Sequence, residues 1–226
     1  MAQIKKITRT RDISKDKDLS VYQRTADFAQ LYADPVRLEV LDVLSQGARS
    51  VDAISQICAL PIKTVSHHLQ KMLQAKLLTR TKQGRQAIYA IADEFTIILI
   101  AMLRQLSKNV AMADEPFRLE DHGDRIHAKE LLPLMRHQKV LVIDVRPKEE
   151  YQNGHLPGAM SIPSDNLQQR LDELPRDKPI VAFCRGPYCR LADHAVTHLK
   201  KKGFSAIRCE EGVAELIRSG VNLIKD

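Results

Sequence analysis

The residues with the most evident chemistry lie in one octapeptide, "FCRGPYCR", from Phe183 to Arg190. The chain has four cysteines, and two of them, Cys184 and Cys189, bracket a Gly-Pro pair with arginine at positions 185 and 190. "PIVAFC" reads as a buried strand ending at Cys184, "RGPYC" as a tight loop, and "RLADHAVTHLKKKG" as a helix closed by Gly203. A cysteine where a loop wraps toward a helix N-terminus faces unpaired amide N–H groups and the positive end of the helix dipole. Arg185 and Arg190 add charge, so the thiolate of Cys184 is expected to be favoured over the thiol. That arrangement predicts a nucleophile in an anion-holding loop. Cys189 has two open readings: a resolving thiol able to form a disulfide with Cys184, or a small residue packed under the loop.

Such a loop needs a sheet to hold it. After a polar stretch without periodicity, residues 114–125, helical and strand-like pieces alternate through residues 126–226. Continuous apolar runs such as "VLVIDV" and "PIVAFC", separated by amphipathic segments including "DNLQQRLDEL", predict an α/β domain with a mainly parallel central sheet. Reactive groups in such sheets collect at the carboxyl ends of the strands, where Cys184 falls. Cys209, ending the segment "SAIRC", reads as core.

The first half has a different character. Through Ala113 there are 17 Lys and Arg against 10 Asp and Glu; beyond it there are 18 against 18, so the whole net charge of +7 lies in residues 1–113. A basic module is suited to a polyanion. "DPVRLEVLDVLSQG" predicts a helix capped by Asp34, with Pro35 at its first position and Gly47 past its end. "SVDAISQICAL" predicts a second, capped by Ser50, and "PIKTVSHHLQKMLQAKLL" a third that buries Ile62, Val65, Leu69, Met72 and Leu73. Off that apolar stripe lie Lys63, Thr64, Ser66, His67, Gln70 and Lys71, with no carboxylate among them, which suits the acceptor-rich major groove, and Lys63, Thr64, Ser66, His67 and His68 are the expected DNA contacts. His67 and His68 are adjacent on a helix and cannot point the same way. "LLTRTKQGRQAIYAI" alternates about a Gln83-Gly84 turn and predicts a hairpin carrying Arg80, Lys82 and Arg85, a wing for the DNA backbone. Periodicity alone leaves open a helical bundle with a solvated polar face.

The 226 residues, 44% hydrophobic and 28% charged, allow two small domains, each with its own core. The charged start "MAQIKKITRTRDISKDKDL" has no apolar secretion segment, and the longest apolar run, Phe95 to Leu103, is about half of a membrane span. These features predict a cytoplasmic protein that avoids the membrane and keeps its thiols reduced. No cofactor is implied.

"DPVRLEVLDVL", "TVSHHLQKMLQAKLL" and "QGRQAIYAI" together resemble the winged helix-turn-helix of the ArsR/SmtB repressors, over residues 26–109. The resemblance implies a homodimer, formed through the first and last helices, that binds a palindromic double-stranded operator and releases it with an inducer. The apolar helix "DEFTIILIAMLRQLSKNV" fits that dimer role. Ser50 and Asp52 stand where metal-sensing members place cysteines, and the last helix lacks histidine, so no metal site is expected. Cys58 reads as a small buried residue. "VLVIDVRPKEEYQNGHLPGAMSIP", "IVAFCRGPYC" and "KKKGFSAIRCEEG" are similar to a rhodanese domain over residues 126–226. That likeness implies sulfur transfer: the thiolate matching Cys184 takes sulfane sulfur from a small donor and passes it to a thiol acceptor. It makes Asp144, Arg146, His155 and Gly158 scaffold, and it is imperfect at Glu211 and Leu216, where the family has glycine and tryptophan. Cys184 and Arg190 also satisfy the Cys-x5-Arg spacing of cysteine phosphatases and some arsenate reductases, although no carboxylic acid stands in the loop.

The expectation is therefore a DNA-binding regulator whose second domain forms a persulfide, with Cys184, Arg185, Arg190 and Cys189 at the reacting centre. The alternatives are a sulfurtransferase that uses its N-terminal domain only to dimerise, and an oxyanion-processing enzyme.

Overall fold

The computed structural model describes residues 19–114 and 125–226. The expected linker, residues 114–125, lies almost wholly outside the described residues.

The N-terminal domain opens with α1 (Leu19–Ala29) and α2 (Pro35–Ser45), then a short strand β1 (Arg49–Ser50), α3 (Val51–Ile57) and α4 (Ile62–Gln74). The hairpin β2 (Leu78–Gln83) and β3 (Gln86–Ile91) follows, and α5 (Glu94–Asp114) ends the domain. The caps act as the sequence dictates: the Arg37 amide donates to Asp34 Oδ1 at 2.9 Å, and the Ala53 amide to Ser50 Oγ at 3.2 Å. Val40, Leu41, Leu44, Ile54, Val65, Leu69, Met72 and Tyr89 form one core, and β1 joins the hairpin in the order β1-β3-β2. Two local expectations are corrected. Ile62, expected inside, is 51% exposed, because at the first position of α4 it precedes the stripe that Val65 starts. The hairpin turn sits one residue later than expected, at Gly84-Arg85, because Gln83 still pairs with Gln86 and Gly84 supplies the positive φ of 60°.

The C-terminal domain is an α/β layer structure. Its elements are β4 (Arg125–Ile126), α6 (Ala128–Arg136), β5 (Leu141–Asp144), α7 (Lys148–Asn153), β6 (Met160–Ser161) and a 3-10 helix (Ser164–Glu173). Then come β7 (Ile180–Phe183), α8 (Leu191–Lys201), β8 (Ala206–Cys209) and α9 (Val213–Arg218). All five strands are parallel, in the order β4-β8-β7-β5-β6, and central β7 is buried at every residue. The segment containing "DNLQQRLDEL" forms a tighter 3-10 helix, kinked at Arg170, whose guanidinium is drawn to the Ser161 carbonyl at 2.6 Å and to Glu173. Two apolar clusters, one on each side of the sheet, make the core.

The two domains touch. α9 lies along α5. Buried Arg146 pairs with Asp144 at 2.6 Å and donates to the Gly154 carbonyl, but its Nη1 reaches across to Gln46 Oε1 of the N-terminal domain at 2.9 Å. Gly47 meets Asn153 so closely that a Cβ there would stand 2.2 Å from its side-chain nitrogen. Among the described residues no helix is long and apolar enough to cross a membrane.

Candidate active site and candidate nucleic-acid interface

The loop from Cys184 to Arg190 links the end of β7 to the start of α8, as the parallel sheet requires. Its interior differs from an anion cradle at one point. Cys184 Sγ faces two carbonyl oxygens, of Gly186 at 3.8 Å and of Cys189 at 3.6 Å, and the residue is 1% exposed. Carbonyl oxygens stabilise a thiol proton and repel a thiolate. The Cys189 sulfur is in the complementary position: it receives the hydrogen bond of the Cys184 thiol and the amide N–H groups of Leu191 and Arg185. These contacts, the Cys184 hydrogen bond first, outweigh burial and hold Cys189 down to about 6, while the same bond and burial push Cys184 well up. The expectation of a favoured thiolate at Cys184 is thus corrected: the hydrogen bond to the Cys189 sulfur and burial push its thiol up, outweighing the Gly186 amide and Arg208, which favour the thiolate.

The arginines also part company. Arg185 Nη2 and Nε bind Glu150 of α7 at 2.6 and 3.0 Å, and Glu150 is itself 3.6 Å from Arg49 of the N-terminal domain. Arg190, at the N-cap of α8, is exposed on the rim of the loop. The brace of the loop is an arginine that sequence reasoning passed over. Arg208 of β8 is 1% exposed; it donates to Gly186 O at 3.0 Å and pairs with Asp193 of α8 at 2.6 Å. Its signal was an arginine inside the buried strand "SAIRC".

Gly212 packs so tightly on the loop that a Cβ there would lie 1.9 Å from the Arg185 carbonyl oxygen. Its amide donates to Glu215 Oε2 at 3.1 Å, and Glu215 Oε1 is 3.5 Å from Arg104 Nε. Arg104 is the single charged residue of α5 between Glu94 and Lys108, and its Nη1 also meets Asp42 of α2 at 3.0 Å. These three charges are close but poorly aligned: Asp42 Oδ1, Arg104 Nε and Nη2, and Glu215 Oε1 are buried without a hydrogen bond. Burial pushes the Asp42 carboxyl up against the pull of Arg104.

Cys58 and Cys209 are buried, and burial pushes their thiols up to about 11 and about 12, so neither is reactive. Asp144 and Arg146 form the expected buried pair; His155 stacks on Tyr151 at 3.7 Å and hydrogen-bonds its carbonyl. Gly158 takes a φ of 80° in its turn.

On the other domain, Lys63 and His67 are exposed on α4, with Thr64 and Ser66 half-buried beside them. Arg80, Lys82 and Arg85 are exposed on the wing. His68 turns inward, 3.7 Å from the cap residue Asp34, and desolvation lowers its pKa. It belongs with the helix cap, as adjacency to His67 required.

A helix-turn-helix domain model matches residues 32–81, and a rhodanese-like domain model matches residues 127–217. The chain is 35% identical over 212 residues to the HTH-type transcriptional regulator Rv0324 of Mycobacterium tuberculosis, covering 91% of this chain and 92% of that protein. Among solved structures, it is similar to the homodimeric winged helix-turn-helix DNA-binding domain of a possible ArsR-family regulator from Mycobacterium bovis. That likeness has 25% identity and a TM-score of 0.39, and covers 55% of this chain and 98% of that one. A rhodanese-related protein from Thermoplasma volcanium matches at 24% identity and a TM-score of 0.42, covering 46% of this chain and all of that one. With both modules matched in order and a relative aligned over nearly its full length, the chain belongs to the helix-turn-helix transcriptional regulators that carry a C-terminal rhodanese-like domain.

Proposed function

We propose that this regulator releases its operator when sulfur chemistry at the Cys184–Cys189 loop changes the contacts between its two domains. The observation that carries the reading is the seating of the loop against the DNA-binding half. Gly186 lies against Glu215, Glu215 holds Arg104 of α5, and Arg104 holds Asp42 of α2. On the other side Arg185 holds Glu150, which reaches Arg49 beside the cap of α3. A disulfide between Cys184 and Cys189 moves backbone that both chains of contact share.

Lys63, Thr64, Ser66 and His67 then read bases, and Arg80, Lys82 and Arg85 bind phosphates. A second copy of the chain covers the apolar residues left open on the outer helices: Phe95, Met102 and Leu106 of α5, with Tyr22 and Phe28 of α1, are each at least 46% exposed. The reacting partners are a small sulfur donor and a thiol acceptor. The oxyanion reading loses support from the carbonyl oxygens of Gly186 and Cys189 that face the Cys184 sulfur, where an anion would have to sit. A plain sulfurtransferase has no use for a carboxylate-free helix face followed by a basic wing.

Fluorescence anisotropy with labelled operator DNA tests the reading at fixed salt, before and after polysulfide. The reduced protein is expected to bind at least about tenfold tighter, a coupling of about 1.4 kcal/mol, and Cys184→Ser to lose the difference. Equal affinity in all four samples would end the proposal.

A further inference from the structure

Arg208 lies on an interior strand of the sheet, where a charge is costly unless its donors find partners. It is 1% exposed, and its partners converge on one place. Nη1 pairs with Asp193 Oδ2 at 2.6 Å and meets the Cys189 carbonyl at 3.5 Å, while Nη2 donates to the Gly186 carbonyl at 3.0 Å. The same two carbonyl oxygens face Cys184 Sγ, at 3.6 and 3.8 Å. A guanidinium and a thiol thus share one pair of acceptors, and each oxygen has a lone pair for either donor. The arginines within the loop do not take this place: Arg185 is held by Glu150, and Arg190 is exposed on the rim.

We propose that Arg208 is the positioning residue of the sulfur site: from within the sheet it holds the Gly186 and Cys189 carbonyls and supplies the positive charge that an anion on Cys184 requires. This rests on the sulfur chemistry of the reading above and names the residue that makes Cys184 usable in it. In the step concerned, Cys184 gives its proton to solvent and the thiolate attacks the outer sulfur of a small persulfide, R–S–SH. The donor S–S bond breaks, RS⁻ leaves and takes a proton from solvent, and Cys184 carries –S–SH. One sulfane sulfur passes from thiol to thiol, with no net oxidation.

While Cys184 keeps its proton, the two oxygens can accept it. Once the proton has left, they turn the negative ends of two dipoles toward an anion. A guanidinium bonded to both oxygens offsets that repulsion, and it does so out of water, where screening is weak. Asp193 sets how much of the charge is felt: its Oδ2 is bound to Arg208, and its Oδ1 is buried without a hydrogen bond. The balance at Cys184 has the matching signs. The hydrogen bond to Cys189 and burial oppose the thiolate, and the Gly186 amide and Arg208 favour it.

The test follows, as a function of pH, the rate at which glutathione persulfide adds sulfur to Cys184 in the full-length reduced protein carrying Cys189→Ala. That parent leaves one loop thiol to titrate and keeps the carbonyl of residue 189. Trypsin cuts after Arg185, so mass spectrometry after iodoacetamide trapping reads Cys184 apart from the other cysteines. The donor titrates identically in every variant, so differences in midpoint belong to the protein. Adding Asp193→Asn removes the anion beside Arg208 and is expected to lower the midpoint by about one pH unit, about a tenfold gain in thiolate at a given pH below it. Arg208→Gln combined with Asp193→Asn leaves no buried carboxylate alone and is expected to raise the midpoint above that of the parent. Loss of a purely structural brace would lower the unfolding temperature without sending the two midpoints in opposite directions. Unmoved midpoints, shifts in the same direction, or no added sulfur on Cys184 at any pH would each overturn the assignment. Should the Arg208→Gln protein not fold, Asp193→Asn decides alone: a lower midpoint supports the assignment, and an unmoved or higher one overturns it. Operator affinity, measured in the same Asp193 and Arg208 variants with both loop cysteines present, separates the two proposals. If the midpoints diverge and persulfide leaves affinity unchanged, only the regulatory reading fails. If the midpoints stay and affinity falls, only the role of Arg208 is wrong.

Discussion

At the scale of single residues, the chemistry of the loop is decided first by the hydrogen bond between the two sulfurs and then by burial and the backbone atoms that face each. Cys189 is held down to about 6 chiefly by the hydrogen bond from Cys184, with the amides of Leu191 and Arg185 adding to it. Its alkylation rate is therefore expected to rise through about pH 6 and level off by neutrality, since only the thiolate reacts. Cys184→Ala removes the first of these donors and is expected to move the midpoint up, toward the ordinary cysteine value of 9.0. Iodoacetamide kinetics across pH, read at the Cys189 peptide, measure both; an unmoved midpoint would show that the amides suffice alone. This level was only partly legible in the sequence. The strand, loop and helix around "FCRGPYCR" follow from apolar runs and Gly203, and the reacting pair follows from its position. The direction of each carbonyl in a five-residue turn does not follow from residue types, so the charge was expected on Cys184. Arg208 was readable in principle, because an arginine in a buried strand must find partners.

At the scale of elements, the local rules were obeyed almost throughout the DNA-binding half. Asp34, Pro35 and Ser50 start helices where capping chemistry places them, and Val65, Leu69 and Met72 bury the face their spacing defines. Ile62 and the hairpin turn missed by a position each, which is the usual reach of end effects in helices and hairpins. The interdomain contacts were not legible at all. Glu150, Asp42 and Glu215 look like ordinary helix charges, and only tertiary structure brings them to Arg185 and Arg104. Arg104 is the element-level test. Arg104→Met keeps length and helix propensity but leaves Asp42 and Glu215 unpaired, at an expected loss of about 1–3 kcal/mol in thermal or urea unfolding. It is also expected to shrink the effect of persulfide on operator affinity, while leaving the reduced protein able to bind. A full response in Arg104→Met would place the coupling on the Arg49–Glu150 side instead.

For the whole molecule, the architecture assigns binding and sensing to different domains and joins them at a few buried charges. The charge asymmetry of the sequence anticipated this division, since all of the excess lies in residues 1–113 and the reactive pair lies beyond. Composition does not record how the domains meet, and here the reactive loop itself forms part of the junction. Coupling between two sites is reciprocal: if the disulfide form binds operator more weakly, operator must favour the dithiol by the same factor. The midpoint potential of the Cys184–Cys189 pair, measured by redox titration with and without saturating operator DNA, therefore tests the central claim without relying on any substitution. The account expects DNA to raise the potential by about 30 mV for each tenfold difference in affinity. Identical midpoints in the two titrations would contradict it.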